Sequence, residues 1–228
     1  MGAMTVHIKA TYLQMRLYIW GVILMILLGR LADWIVILST NGSYNTLRLS
    51  DGNMLLLILL FFAAVLPLRY FKRIVHLGAS REQYFKGLQV IFSVWAAAIA
   101  LFNSFYHVLE VNVLRNYSGM VDMIEAFHWT DFGVAGSFLY QTAFYVMFMA
   151  FLCLLVSGYS HPVGWLLWVL LITAIPVGTA IPSLRVHVAA FFKALLFNPS
   201  LLTGVAFNLA LYALFAAGGW WFTRRRVH

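Results

Sequence analysis

Long apolar runs that carry almost no charge constrain this chain more than any other feature. Residues 17–38, 54–68, 88–109, 134–156, 165–181 and 200–222 are dominated by aliphatic and aromatic side chains. A helix of roughly 20 such residues crosses a bilayer core about 30 Å thick. Hydrophobic residues make up 63% of the chain and charged residues only 10%, which is too little polar surface for a water-soluble protein. The sequence therefore predicts an all-α integral membrane protein, a single transmembrane domain over residues 1–228 with six transmembrane helices.

Amphipathic patterns occupy several of the segments that flank these runs. Residues 4–16 place apolar and polar side chains on opposite helical faces, which predicts an N-terminal interfacial helix before the first span. Residues 110–133 are polar and acidic, but Ile124 and Phe127 share a helical face with other apolar residues. Residues 183–199 show a similar pattern. We expect short amphipathic extracellular helices in both segments.

The distribution of Lys and Arg predicts the orientation of the chain. Six spans place both termini on one side of the membrane. That side would hold ten basic residues: Lys9, Arg16, Arg69, Lys72, Arg73, Arg81, Lys86, Arg224, Arg225 and Arg226. The opposite side would hold four: Arg48, Arg115, Arg185 and Lys193. By the positive-inside rule both termini are cytoplasmic, and we expect the plasma membrane of a bacterial cell. Orientation and anionic lipid also explain the net charge of +8, so nucleic acid is not an expected partner.

Motifs for catalysis are absent from the sequence. There is no GxxxxGK[ST] loop, no HExxH, no GxSxG and no pair of cysteines that could bind a metal. The seven histidines are scattered and are interpreted as interfacial or loop residues. Asp33 is predicted to be the only acidic residue at membrane depth. We therefore expect no enzymatic activity, no metal and no cofactor on this chain itself.

Arg30 and Asp33 stand inside the first predicted span. They are three residues apart on a helix and can pair with one another. A charge at the centre of a bilayer costs about 2.5–3.5 kcal/mol on insertion scales, so we expect a charged pair inside the membrane to have a structural or functional role. Two interpretations stay open. The pair can have a structural role, either as a lock between helices or with the Arg30 side chain reaching the membrane surface. Alternatively, it can lie on a translocation path.

The segment from Arg69 to Gly87 is the longest strongly basic interruption between apolar runs. It holds five of the fifteen Lys and Arg residues. Gly78 can end one short helix, and Ser80 can cap the next one with Gln83 as its capping-box partner. The segment is therefore predicted to be a helix, a tight break and a second helix that leads into the third span.

The residues Leu77 to Gly87, LGASREQYFKG, resemble the loop after the second span in six-helix, exporter-type permease subunits of ABC transporters (type-2 permeases). In that family the loop commonly reads LGxSRxxYFxG. The layout of the whole chain is also similar to that family, with an interfacial N-terminal helix, six spans, a helical segment before the last span and a short basic C-terminus. The specific match covers about a dozen residues. In contrast to larger relatives, we expect no large extracellular domain between the first two spans and no fused ATPase.

The resemblance implies a coupling helix on which a separate cytosolic ABC ATPase subunit docks. Its residues would be Leu77, Gly78, Ala79, Ser80, Arg81, Tyr84 and Phe85. Arg81 would make a polar contact and Leu77, Tyr84 and Phe85 would be apolar anchors. ATP and magnesium would bind to the partner, and a second permease subunit, identical or related, would complete the translocation path. The apolar spans favour a hydrophobic or amphipathic cargo, such as a peptide, a lipid-like molecule or a drug.

Two other functions fit the sequence. One is a membrane sensor, immunity or accessory protein that recruits a cytosolic partner through the basic segment and transports nothing. The other is a lipid-modifying membrane enzyme, which is disfavoured because no cluster of acidic residues and histidines is evident in the sequence.

Overall fold

The computed structural model describes residues 3–40, 48–76, 78–114 and 120–226. Within them the chain forms ten α-helices: α1 (Ala3–Ser39), α2 (Asp51–Met54), α3 (Leu56–Val65), α4 (Phe71–His76), α5 (Arg81–Leu109), α6 (Met123–Ala126), α7 (Gly133–Gly158), α8 (Pro162–Ala180), α9 (Pro182–Leu196) and α10 (Leu201–Arg225). Two π-helical turns and a 3₁₀ turn extend them: Leu66–Tyr70, Glu110–Leu114 and Trp129–Phe132. Two short strands, β1 (Arg48–Leu49) and β2 (Met120–Val121), pair in parallel.

Among the described residues, six helical segments are long and apolar enough to cross a membrane. These spans 1 to 6 are Met15–Ser39, Asp51–His76, Arg81–Asn112, Trp129–Gly158, Pro162–Ala180 and Leu201–Arg225. The chain is therefore an all-helical, multi-pass membrane protein, which confirms the predicted class and the number of spans.

Spans 2 and 3 are longer than the sequence predicts. Span 2, predicted to cover 54–68, continues through the π-helical turn that contains Pro67 and into α4. Proline removes one backbone donor, and the chain accommodates it by widening one turn and not by ending the helix. Span 3, predicted to cover 88–109, begins at Arg81 because Ser80 caps it.

The segments flanking the spans also differ in detail from the predicted ones. Residues 4–16 belong to one continuous helix with span 1, since α1 contains no proline and its first glycine is Gly21. An interfacial position for them stays a prediction. The predicted amphipathic segment 110–133 is divided among a π-helical turn, β2, α6 and a 3₁₀ turn, whereas 183–199 contains the longer α9.

The core of the fold lies around α7. More than half of the most apolar window of span 4 is buried, against about a tenth in spans 5 and 6. The main hydrophobic cluster joins spans 1 to 4 and includes Met15, Phe62, Phe92 and Met149, all fully buried. The outward faces of α1, α8 and α10 carry large exposed apolar side chains, as expected of helices that contact lipid or another membrane protein.

Small residues let the helices approach α7 closely. A Cβ atom on Gly204 of α10 would lie 2.3 Å from the ring of Tyr140 in α7. A Cβ atom on Gly164 at the start of α8 would lie 1.9 Å from the carbonyl oxygen of Gly158. Close backbone contact supplies van der Waals attraction where the membrane provides no hydrophobic driving force.

We expect Gly204→Ala to destabilise the protein, because the added methyl group has no room beside Tyr140. Overpacking of this kind costs about 1–3 kcal/mol and would lower the thermal midpoint in detergent by roughly 5 °C. Gly21→Ala is the matched control, since nothing lies within 4 Å of its new Cβ atom and alanine favours the helix. Equal midpoints for the two variants would contradict this packing.

Candidate functional site

The break between α4 and α5 is formed by Gly78. α4 ends at His76, and Gly78 has a φ of 93°, in the left-handed region that glycine adopts without strain. Its N–H donates to the carbonyl of Val75 at 3.0 Å and so closes the end of α4. A residue with a side chain would be strained at this position. Leu77 lies outside the described residues.

Ser80 and Gln83 form a reciprocal capping box at the start of α5. The N–H of Gln83 donates to the Ser80 hydroxyl at 3.1 Å, and the N–H of Ser80 donates to the Gln83 side-chain oxygen at 3.0 Å. Two backbone donors at the helix start are thereby satisfied. The predicted capping box is confirmed.

Tyr84 and Phe85 point into the protein. Their exposed fractions are 4% and 8%. The Tyr84 hydroxyl donates to the carbonyl of Leu66 at 3.2 Å, and the Phe85 ring lies 5.5 Å from the ring of Trp220. In this structure the two side chains attach the break to span 2 and to α10. They are therefore not available to a partner, unlike the apolar anchors that the resemblance implies.

The end of α10 closes over the break. Arg81, the residue expected to contact a partner, donates to the carbonyl of Arg224. Arg226 donates to the carbonyl of Pro67 at 2.7 Å, and its guanidinium lies 5.0 Å from the centre of the Phe71 ring. We call these contacts of Arg81 and Arg226 the C-terminal clasp. The clasp satisfies a carbonyl at the π-helical turn and connects α10 to span 2.

The outward surface of the break is polar and mainly basic. Lys72, Arg73, Glu82 and Lys86 are exposed, together with Gly78 and Ser80, while Ala79 is half-buried. Glu82 and Lys86 pair with each other at 2.6 Å, one helical turn apart. This surface can contact an acidic protein surface or anionic lipid headgroups.

Arg30 joins spans 1, 2 and 3 through polar contacts. It forms a salt bridge with Asp51, 21 residues away, and donates to the Tyr106 hydroxyl at 3.2 Å. The Tyr106 hydroxyl donates in turn to Asp51 at 3.0 Å. The sequence had suggested Asp33 as the partner of Arg30. The contact with Asp51 gives Arg30 the position of a lock between helices.

Further buried polar residues gather beside Arg30. Ser50 donates to Glu110 at 2.7 Å, and Nδ1 of His107 lies 2.6 Å from Asp122. Glu110 and Asp122 are each only 3% exposed. Glu110 and Asp122 are thus acidic residues buried in the fold, whereas the sequence analysis singled out only Asp33, whose position at membrane depth stays a prediction. Span 3 continues past Leu109 into a π-helical turn, which carries Glu110 into the fold. We refer to Arg30, Ser50, Asp51, Tyr106, His107, Glu110 and Asp122 as the buried polar cluster.

A polar stripe in the sequence could have revealed this cluster. Asn103, Ser104, His107 and Glu110 follow one another at spacings of one, three and three residues, so they occupy one side of a helix. In the structure Asn103 donates to the oxygen of Gln141 in α7 at 2.8 Å, and Gln141 donates to Ser104 at 3.2 Å. A stripe of this kind inside an apolar run indicates a buried network between spans.

His107 is also exposed to a cavity. The cavity has a volume of about 190 Å³ and lies between the end of α5 and the start of α7. Its polar lining consists of His107, Ser104, Asn112, Thr130 and Ser137. The histidine expected to be an interfacial or loop residue is therefore part of α5, where it contacts Asp122 and lines this cavity.

Known proteins give no further assignment of these sites. No protein family, curated protein or solved structure matches this chain. Among the described residues, no group of three or more His, Cys, Asp or Glu side chains could hold a metal ion.

The capping box depends on the Ser80 hydroxyl, which accepts a hydrogen bond from the backbone N–H of Gln83. We expect Ser80→Ala to destabilise the start of α5 by about 1 kcal/mol and to speed hydrogen exchange at the amide of Gln83. Ser93→Ala is the matched control, since the Ser93 hydroxyl only contacts the carbonyl of Gln89 within the helix. Unchanged exchange at Gln83 in Ser80→Ala would refute the cap.

We expect Arg226→Met to loosen the chain around the break. Methionine keeps an apolar side chain, but it cannot donate the hydrogen bond that Arg226 gives to the carbonyl of Pro67. We expect faster trypsin cleavage after Lys72 and Arg73 in the folded protein. Arg225→Met serves as control, because Arg225 is exposed and stacks on Trp221 at 4.1 Å. If both variants are cleaved at the wild-type rate, the clasp does not hold this region.

Proposed function

We propose that this chain is the permease subunit of an ATP-driven ABC exporter. It forms half of a dimeric translocation path with a second permease subunit, and a separate cytosolic ATPase docks at the break between α4 and α5. ATP and magnesium bind to that partner. The cargo is a hydrophobic or amphipathic molecule that moves outward across a bacterial plasma membrane.

The proposal rests mainly on one observation: the break is exposed on its outer side and attached to two spans on its inner side. Its outer surface is exposed and basic, while Tyr84 and Phe85 attach its inner side to Leu66 of span 2 and Trp220 of α10. A force applied to this surface reaches two spans through side chains that are already in contact. A coupling element between an ATPase and a membrane path requires this combination of access and attachment.

The structure suggests roles that differ from those implied by the resemblance alone. Lys72, Arg73 and Lys86 are the residues that face a partner, and charge complementarity with an acidic groove would guide docking. Tyr84, Phe85 and Arg81 transmit movement within the chain. Gly78 allows the tight turn between α4 and α5, and Ser80 caps the start of α5.

The charge distribution supports a cytoplasmic position for this surface. The end of the molecule that carries the α4–α5 break also holds the three arginines at the end of α10 and Arg16 in α1. An excess of Lys and Arg marks the cytoplasmic side of membrane proteins. The exposed apolar faces of α1, α8 and α10 leave room for a second permease subunit within the bilayer.

The decisive experiment purifies the tagged chain from its native membranes and measures vanadate-sensitive ATPase activity that accompanies it. We expect the double charge reversal Lys72→Glu with Arg73→Glu to reduce this activity about tenfold, equivalent to about 1.4 kcal/mol of binding. The control reverses Arg185 and Lys193 of α9, on the side predicted to be extracellular.

Three results would contradict the proposal: no accompanying ATPase, an activity indifferent to Lys72 and Arg73, or an equal loss in the control at equal expression. A copurifying partner without ATPase activity would favour the alternative of a non-transporting sensor, immunity or accessory protein. That protein would use the same basic surface for recruitment.

A further inference from the structure

The carboxyl group of Glu110 is held in an arrangement that suits a neutral acid better than an anion. The residue is 3% exposed. One oxygen accepts a hydrogen bond from the neutral hydroxyl of Ser50 at 2.7 Å, and the other, Oε1, is buried with no hydrogen-bond partner. A buried carboxylate needs a counter-charge or several donors to remain ionised, and this one has a single neutral donor.

The neighbouring charges do not supply that compensation directly. Asp122 of the loop before α6, His107 of α5 and Arg30 of α1 all lie close enough to act on Glu110 electrostatically. Arg30 directs its Nε to Asp51 and its Nη2 to Tyr106, and His107 contacts Asp122. Arg30 and His107 are thus paired with Asp51 and Asp122, and neither is hydrogen-bonded to Glu110. The second oxygen of the Glu110 carboxyl group, Oε1, has no hydrogen-bond partner.

From this geometry we propose that Glu110 is a proton-binding residue, protonated in the arrangement seen here and able to ionise when its surroundings open. The partner that would have to move is Ser50, which precedes α2 at the start of span 2. His107 contacts Asp122 and also lines the cavity beside α5, so its side chain lies between the cluster and the cavity and is the route we propose for the proton. The proposal concerns the chain itself and does not depend on an ATPase partner.

Infrared spectroscopy of the purified protein in detergent at neutral pH tests the proposal, because a protonated carboxylic acid has a carbonyl band separate from that of a carboxylate. We expect such a band in the wild type. It should shift on ¹³C labelling of glutamate and be lost in Glu110→Gln, which can keep the contact with Ser50. Glu82→Gln is the control, since Glu82 is exposed and paired with Lys86. The band should persist in that variant.

A second measurement uses thermal stability. If folded Glu110 carries a proton that the unfolded chain releases near its ordinary pKa of about 4.3, stability falls as pH rises from about 5 to about 8. We expect the midpoint of the wild type to fall relative to that of Glu110→Gln over this range, and the midpoint of Glu82→Gln to follow the wild type.

The labelled wild type decides the question even where Glu110→Gln fails to fold. Absence of a glutamate-dependent band at neutral pH would overturn the proposal, since Glu110 would then be ionised. Appearance of the band only after removal of sodium or potassium would overturn it as well, because a bound cation would then be the compensating charge.

Discussion

A backbone carbonyl left open where a helix is interrupted needs another hydrogen-bond donor, and at the breaks of this fold side chains supply it. At the π-helical turn of span 2, Tyr84 donates to Leu66 and Arg226 to Pro67. At the end of α9, Tyr140 and Asn208 donate to Leu195, and Trp129 donates to Leu196. Each donor lies outside the element that contains the carbonyl that it bonds. The irregular points of the chain are thus also the points where helices are tied together.

α5 connects the two parts of the molecule for which functions are proposed. Ser80 caps its start and its first turns carry Tyr84 and Phe85 beside the break, while its last turn carries His107 and the π-helical turn that follows begins with Glu110. The helix packs against α3 and α7 between these ends. A shift of α5 along its axis would therefore disturb both the surface proposed to meet an ATPase and the site proposed to bind a proton.

The apolar runs and the helix-capping residues predicted the structural features that are determined by residues close together in the sequence. Hydropathy gave six spans, and Gly78 with Ser80 and Gln83 located the break. Contacts between distant residues were not predictable in the same way. Spacing indicated that Arg30 can pair with Asp33, three residues along the helix, but nothing in the sequence indicated its salt bridge with Asp51, 21 residues away. The resemblance implied that Tyr84 and Phe85 are apolar anchors for a partner, and their burial was not predictable because a sequence motif does not state which face of a helix the rest of the fold covers.

The central claim is that the basic break faces the cytoplasm, at the opposite side from the buried polar cluster. Cys153 is buried, and Glu82 and Asp131 are exposed carboxylates near the two ends of the molecule, so single cysteines can report each side. In a Cys153→Ala background, a membrane-impermeant maleimide applied to intact cells should label Asp131→Cys at once and Glu82→Cys only after permeabilisation. Labelling of Glu82→Cys in intact cells, with protection of Asp131→Cys, would contradict the orientation and remove the proposed ATPase site.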